Sequence, residues 1–170
     1  MVEIETSRLR MRDAEAEDLP DLLPVYLSNP AFVRMNEGSR GEAGYYDLEM
    51  FQRDWWINRM MPGGHVLGIY LKATGEAVGQ ANFLEENPDD GMPWLGLLMI
   101  AAPHQRQGLG REAFDALADH FRTTYGWPAL RLGVLAPNTA GIAFWQALGF
   151  EQVAEKGEDA RHVFVLERTL

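Results

Sequence analysis

The chain has 170 residues, 46% of them hydrophobic, and a formal net charge of −10 from 25 acids and 15 bases. That length supports one sizeable core and a single domain over residues 1–170, and the acidic excess argues against duplex nucleic acid as a partner, because such binding neutralises phosphates with Lys and Arg. With no cysteine and four scattered histidines there is no disulfide framework, no cysteine nucleophile and no metal-ligand spacing, while a charged N-terminus and the short uncharged run from Gly91 to Ala102 point to a cytoplasmic protein without signal peptide or membrane span.

Thr6 to Arg12 alternates apolar and charged residues and predicts a strand. A helix follows from about Asp13, with Leu19, Leu22, Leu23, Tyr26 and Leu27 at helical spacing, and Asn29-Pro30 stops it. Asp47 to Met60 predicts a second helix with Leu48, Phe51, Trp55 and Ile57 turned inward, ended by Pro62-Gly63-Gly64. His65 to Lys72 and Ala77 to Leu84 read as an antiparallel pair joined at Gly75. After a turn-rich loop at 87–93, "WLGLLMIA" is apolar on both parities, as in a central strand covered on both faces. Leu109, Ala113, Phe114, Leu117, Phe121 and Tyr125 form one stripe of a helix from Gly108 to Tyr125. "ALRLGVLA" is another strand, Asn138 can cap a helix that closes at Leu148-Gly149, and Phe150 to Ala154 and Arg161 to Glu167 are a last pair of strands around "EKGEDA".

The order is β α α β β β α β α β β, an α/β (mixed α+β) fold with helices on the faces of a mixed sheet. Its most pointed stretch is "APHQRQGLGREA", residues 102–113. Backbone N–H groups freed by Gly108 and Gly110, at the start of a helix whose dipole favours negative charge, make an anion seat. Gln105, Arg106, Gln107 and Arg111 add donors around it. Two glycines before a helix can also be no more than a helix start. Gly108, Gly110 and Ala113 formally satisfy a dinucleotide fingerprint, but a polar run separates them from the strand and the required downstream acid is replaced by "RLGVL".

The loop also matches [QR]-x-x-G-x-[GA] through Gln105, Gly108 and Gly110, and "NTAGIAFWQALGF" follows it in order. Together these motifs resemble the GNAT superfamily of N-acetyltransferases, which transfer acetyl from acetyl-CoA to amines, and the similarity spans about Thr6 to Glu167. The resemblance implies a central, mostly antiparallel sheet of about seven strands with a splayed parallel pair, flanked by about four helices. It places the CoA pyrophosphate on the amides of Gln107, Gly108, Leu109, Gly110 and Arg111, and the pantetheine arm along the backbone of Met99, Ile100 and Ala101, which also offers the oxyanion donor. Asn138 matches a position that commonly contacts the cofactor, besides its capping role. Where relatives often carry a thiolate-protonating Tyr, this chain has Trp145, whose indole has no titratable proton of use near neutral pH and which is expected to pack against Ile142, Leu148 and the pantetheine.

A general base is not marked on the central strand. Glu85, with Glu86 beside it, is the nearest acidic candidate at the end of the preceding strand, where a water chain would connect it to the amine, and each also reads as an ordinary solvated charge; His104 fits a phosphate-side donor or a surface position. Tyr45, Tyr46, Trp55 and Trp56, with Glu37, Glu42 and Asp47, would suit a cationic amine acceptor, though helix packing alone explains many of the aromatics. The opening "TSRLRMR" also looks like the start of ribosomal-protein N-terminal acetyltransferases. The expectation is therefore an acetyl-CoA-dependent N-acetyltransferase acting on a small amine or a peptide N-terminus, without a covalent enzyme intermediate, a metal, a nucleic acid or a membrane, and, as in much of the superfamily, able to form a homodimer. A non-catalytic acyl-CoA-binding or sensing module of the same fold is the alternative, kept open by Trp145.

Overall fold

The computed structural model describes residues 1–42 and 44–170. Its strands are β1 (Glu3–Glu5), β2 (Leu9–Asp13), β3 (Gly64–Leu71), β4 (Ala77–Leu84), β5 (Trp94–Ile100), β6 (Ala129–Leu135), β7 (Glu151–Lys156) and β8 (Val163–Thr169), joined in one sheet of order β1-β2-β3-β4-β5-β6-β8-β7. Every neighbouring pair is antiparallel except β5 and β6. The α-helices are α1 (Leu19–Leu27), α2 (Pro30–Glu37), α3 (Leu48–Met60), α4 (Leu109–His120) and α5 (Thr139–Ala147).

The mixed sheet with one parallel pair is the architecture expected, with one strand and one helix more than the pattern predicted. The extra strand is β1, which pairs Ile4 with Met11 and is fastened by Asp13, whose Oδ2 accepts the Val2 N–H at 2.8 Å. The extra helix is α2. Pro30 does not stop the chain but opens a helix at its first position, where a missing N–H costs nothing. The first strand also begins later than predicted, because Thr6, Ser7 and Arg8 form the turn between β1 and β2. The long helix is α-helical only to His120 and then widens into a π-helical turn over Phe121–Tyr125.

Two cores lie on opposite faces of the sheet. On one, Ala113, Phe114, Leu117 and Phe121 pack with Trp145, Leu148 and Phe150 against Leu9, Ile69, Phe83, Leu95 and Leu132. On the other, Leu19, Leu22 and Tyr26 of α1 meet Val33, Tyr46, Phe51, Val66 and Met99. In α3 the inward residues are Phe51 and, in part, Trp55; Leu48 and Ile57 point outward, against expectation, and Trp56 is exposed with them.

The strand predicted to be covered on both faces is only partly so. In β5, Leu95 and Met99 are buried, but Gly96 is exposed and Leu97 and Leu98 are half-buried. The cause is a bulge: Asn82 of β4 pairs with Leu97 and Phe83 with Leu95, so Gly96 is the extra residue on β5. A Cβ there would meet Asn82 Oδ1, so any larger residue would require the Asn82 side chain to move. Beyond the bulge β5 bends away from β6. Among the described residues the parallel pairing is confined to Trp94 with Arg131 and Leu95 with Leu132.

Candidate active site

The split between β5 and β6 opens a cleft of about 820 Å³. Its walls are the C-terminal half of β5, residues 132–135 of β6, the loop and first turn of α4, the N-terminal turn of α5, and the α1–α2 junction with Phe32, Met35 and Asn36.

The β5 wall presents a half-used backbone. The Ala101 N–H donates to the Val78 carbonyl at 2.8 Å, and the alternation of an antiparallel ladder then turns the N–H and C=O of Leu98 and Ile100 towards the cleft. Of the three residues expected to pair with a pantetheine amide, Ile100 therefore offers its N–H to the gap, whereas the Met99 and Ala101 amides lie on the β4 side. The Ile100 carbonyl is already engaged: it accepts from Asn29 Nδ2 at 3.2 Å and from Gln105 Nε2 at 2.8 Å. Gln105 also donates to Asn29 Oδ1 at 2.6 Å, and the Ala102 N–H donates to Ser28 Oγ at 3.0 Å. Gln105 thus ties the α1–α2 junction to the end of β5.

At that end the chain takes a left-handed conformation twice, at Arg106 (φ 63°) and Gly108 (φ 81°). Such alternation gathers successive N–H groups into a concavity suited to an anion, and a non-glycine residue holds the left-handed region only at a cost of about 1–2 kcal/mol. Gly108 caps α4, so the Leu109, Gly110 and Arg111 amides lie in its first turn, where intrahelical acceptors are lacking. Gly110 lets the Phe144 ring of α5 approach; a Cβ there would touch it at 3.4 Å. Arg106, Gly108, Gly110 and Arg111 all line the cleft. The Leu109 side chain is instead buried in the core, and Gln107 Nε2 turns back to the Pro103 carbonyl at 3.3 Å.

A latch holds this loop from behind. Glu112, in the first turn of α4, accepts hydrogen bonds from the Thr6 and Ser7 hydroxyls, from the Arg8 N–H at 3.0 Å and from Arg8 Nε at 2.6 Å. Arg8 Nη1 reaches on to the Gln107 carbonyl at 2.9 Å. Burial alone would raise the Glu112 pKa, but the donors from Thr6, Arg8 and Ser7 outweigh it and bring it down to about 2. The turn between β1 and β2 is thereby built into the anion seat.

Across the gap Asn138 Oδ1 accepts the Gly141 N–H at 3.0 Å, the expected helix cap, and the same residue lines the cleft. Trp145 is buried, edge-on to Phe114, Phe144 and Phe150 at 4.9–5.5 Å between ring centroids, with one side on the cleft. The same core holds Leu148, with Ile142 packed against it.

The acidic candidates lie elsewhere. Leu84 pairs with Trp94, so the end of β4 sits beside the start of β5, at the far end of the sheet from the anion seat. There Glu85 Oε1 lies 2.9 Å from His65 Nε2, and neither Glu85 nor Glu86 borders the cleft. His104 pairs with Glu76 at 3.0 Å. Tyr45, Tyr46, Trp55 and Trp56 are also absent from the walls; Tyr46 is buried and Trp55 Nε1 donates to the Ala14 carbonyl at 3.2 Å. The residues found on that side are Phe32, Met35 and Asn36, spaced along one face of α2. The reading that stopped the chain at Pro30 had no helix on which to put them. Among the described residues no cluster of His, Asp and Glu is arranged to hold a metal ion, and no helix is long and apolar enough to cross a membrane.

Residues 8–151 match the family model described as an acetyltransferase (GNAT) domain. The crystal structure of an acetyltransferase from Thermus thermophilus superposes with a TM-score of 0.78 at 26% identity, covering 99% of this chain and 100% of the other. An L-methionine sulfoximine/L-methionine sulfone acetyltransferase of Pseudomonas aeruginosa is 23% identical over 146 residues, 83% of this chain and 79% of its own length. A Salmonella typhimurium acetyltransferase that modifies the N-terminal serine of a 50S ribosomal subunit protein shares the fold, with a TM-score of 0.79 at 17% identity and coverage of 99% of each chain.

Proposed function

The chain belongs to the acetyltransferase (GNAT) family and is an acyltransferase by that membership, and on this premise we propose that it transfers the acetyl group of acetyl-CoA to a primary amine by direct attack. The observation that carries the reading is the split of β5 from β6 with an anion seat at its end. Pantetheine has two amides, so the Leu98 N–H and C=O and the Ile100 N–H, turned to the gap, can pair with it as with a strand, while the amides of residues 107–111, with Arg106 and Arg111, take the pyrophosphate. Asn138 and Trp145 border the arm from α5.

The amine enters from the α2 side and attacks the thioester carbonyl held near the bulge. A backbone N–H of the open β5 edge receives the developing oxyanion. Trp145 has no proton to give the departing thiolate, which leaves as the anion or takes a proton from water. A single domain in the cytoplasm is the setting we propose.

The test is a thermal melt with acetyl-CoA, NAD or ATP, followed by thiol release on a panel of amines. A rise in Tm with acetyl-CoA alone, and thiol release with at least one amine, supports the proposal. Binding without turnover on every amine supports the sensing module instead, and no shift at saturating acetyl-CoA overturns both.

A further inference from the structure

The cleft walls carry no group able to take a proton. Among the described residues that line it, the charged side chains are Arg106 and Arg111, and there is no Asp, Glu, His, Lys or Tyr. On the α1–α2 wall the polar side chains are Ser28 and Asn29, both bonded to the end of β5 and its loop, and Asn36, flanked on α2 by Phe32 and Met35. The orientation of Asn36 is fixed from behind. Asn36 Nδ2 donates to Tyr26 Oη and to Glu37 Oε1, each at 3.0 Å, and the Tyr26 hydroxyl donates to the same Glu37 oxygen at 2.8 Å. Glu37 also pairs with Arg40, which reaches Asp54 at 3.2 Å, and Asp54 accepts from Tyr46 at 2.7 Å. A carboxylate only accepts, so it selects the NH₂ end of the Asn36 amide. The Asn36 carbonyl oxygen has no hydrogen-bond partner among the described residues, and the residue itself borders the cleft.

This network offers no route for a proton. A carboxamide does not relay one at neutral pH, the Tyr26 hydroxyl is buried and its pKa is driven up, first by that burial, and the same holds for Tyr46. Glu37, its side chain 8% exposed, is held by Arg40. Around an amine at Asn36, the charged and titratable groups are thus Tyr26 of α1, Glu37 at the end of α2, Arg40 in the turn after it, Tyr46 before α3, Asp54 within α3, and Arg106 and Arg111 across the cleft. None of them is a base in contact with the gap, and β5 and β6 contribute no ionisable side chain to it.

We infer that the acceptor is an amine that arrives already neutral: the α-amine of a peptide or amino-acid derivative bearing an apolar side chain, with its N–H received by Asn36 Oδ1 and its side chain lying against Phe32 and Met35. The inference rests on the acetyltransferase reading above. An α-amine has a pKa of about 7.7–8.0 and a lysine-type amine about 10.4. At pH 7 the neutral fraction of the first exceeds that of the second by about 300-fold, and in a site without a base that ratio is the upper limit of the preference in kcat/KM, because the more basic amine is the stronger nucleophile once neutral. A polycation also finds no carboxylate on these walls. In the transfer the amine nitrogen bonds to the acetyl carbon, the C–S bond breaks with its electron pair on sulfur, and the proton carried by the cationic nitrogen of the tetrahedral intermediate goes to solvent, leaving a neutral amide.

The test uses the full chain with acetyl-CoA and three probes: a tripeptide amide with N-terminal leucine, Nα-acetyl-lysine amide, and spermidine. Expected are kcat/KM higher for the tripeptide at pH 7, by up to about 300-fold, and a pH profile rising with unit slope to the pKa of the acceptor itself, moving when a less basic acceptor is used. Asn36→Leu should raise the acceptor KM about tenfold, the value of one lost hydrogen bond, with the KM for acetyl-CoA unchanged. Equal or better turnover of lysine amine or spermidine overturns the inference, as does a profile that levels below pH 7 whatever the acceptor, or an unchanged acceptor KM in Asn36→Leu. Loss of the acetyl-CoA melting shift and of thiol release with every probe would instead remove the acetyltransferase reading beneath it.

Discussion

Replacing Glu112 by Gln isolates what the latch contributes. The variant keeps the shape of the side chain and one accepting oxygen but removes the charge that faces Arg8. The fall of the Glu112 pKa from 4.5 to about 2, taken whole, corresponds to about 3 kcal/mol at 1.36 kcal/mol per unit. The Arg8 side chain is 46% exposed, so solvent screening reduces this to about 1–2 kcal/mol. In a chain of this size that lowers Tm by about 3–6 °C at pH 7. The pH dependence has a definite sign. A carboxylate whose folded pKa is depressed contributes fully above its unfolded value of 4.5 and loses that contribution as pH falls towards about 2. Urea denaturation of both proteins at pH 7, 5, 4 and 3 should show a gap that is constant down to pH 5 and narrows below it. No gap at pH 7, or one that stays constant to pH 3, would refute the reasoning. Because Arg8 also holds the Gln107 carbonyl, acetyl-CoA affinity, read by calorimetry, should fall in Glu112→Gln as well.

Three further substitutions probe the cleft walls. Gly108→Ala forces a Cβ into a left-handed position (φ 81°) at a cost of about 1–2 kcal/mol; acetyl-CoA affinity measured by calorimetry should drop, and unchanged tight binding would place the anion seat elsewhere. Asn138→Ala removes the cap on α5 and should cost about 1 kcal/mol in denaturant unfolding, with a further loss of cofactor affinity if the side chain also touches the ligand. Trp145→Phe removes the indole N–H while keeping an aromatic ring among Phe114, Phe144 and Phe150; the pH profile of kcat should be unchanged, and a new inflection would show that the indole takes part in the chemistry.

The cofactor half of the cleft is legible in the residues because its signals are local. Glycines at 108 and 110, an amphipathic stripe after them and Asn138 three residues before Gly141 each specify a backbone shape within one turn. The acceptor half depends on tertiary facts. Asn29-Pro30 has the same local meaning at a helix end and at a helix start, and only the docking of Ser28 and Asn29 on the end of β5 makes it a start. With α2 unseen, Phe32, Met35 and Asn36 could not be placed, and the denser aromatics of α3 drew attention that the cleft does not justify. Glu85 stood close in sequence to the central strand, yet antiparallel pairing of β4 with β5 carries the end of one to the beginning of the other. One signal was available and unused: a lone glycine inside an apolar strand marks a bulge, and Gly96 is that bulge.

The short parallel pairing between β5 and β6 bears on the life of the protein as well as on its chemistry. Backbone hydrogen bonding across the sheet is interrupted there, and a guest whose amides pair with Leu98 and Ile100 would complete the seam that the polypeptide leaves open. Its concentration then enters the folding equilibrium: at a hundred times Kd it adds about 2.7 kcal/mol, against a net stability of about 5–15 kcal/mol for a typical domain. The fraction of chains open to proteolysis would fall as such a guest accumulates and rise as it is depleted.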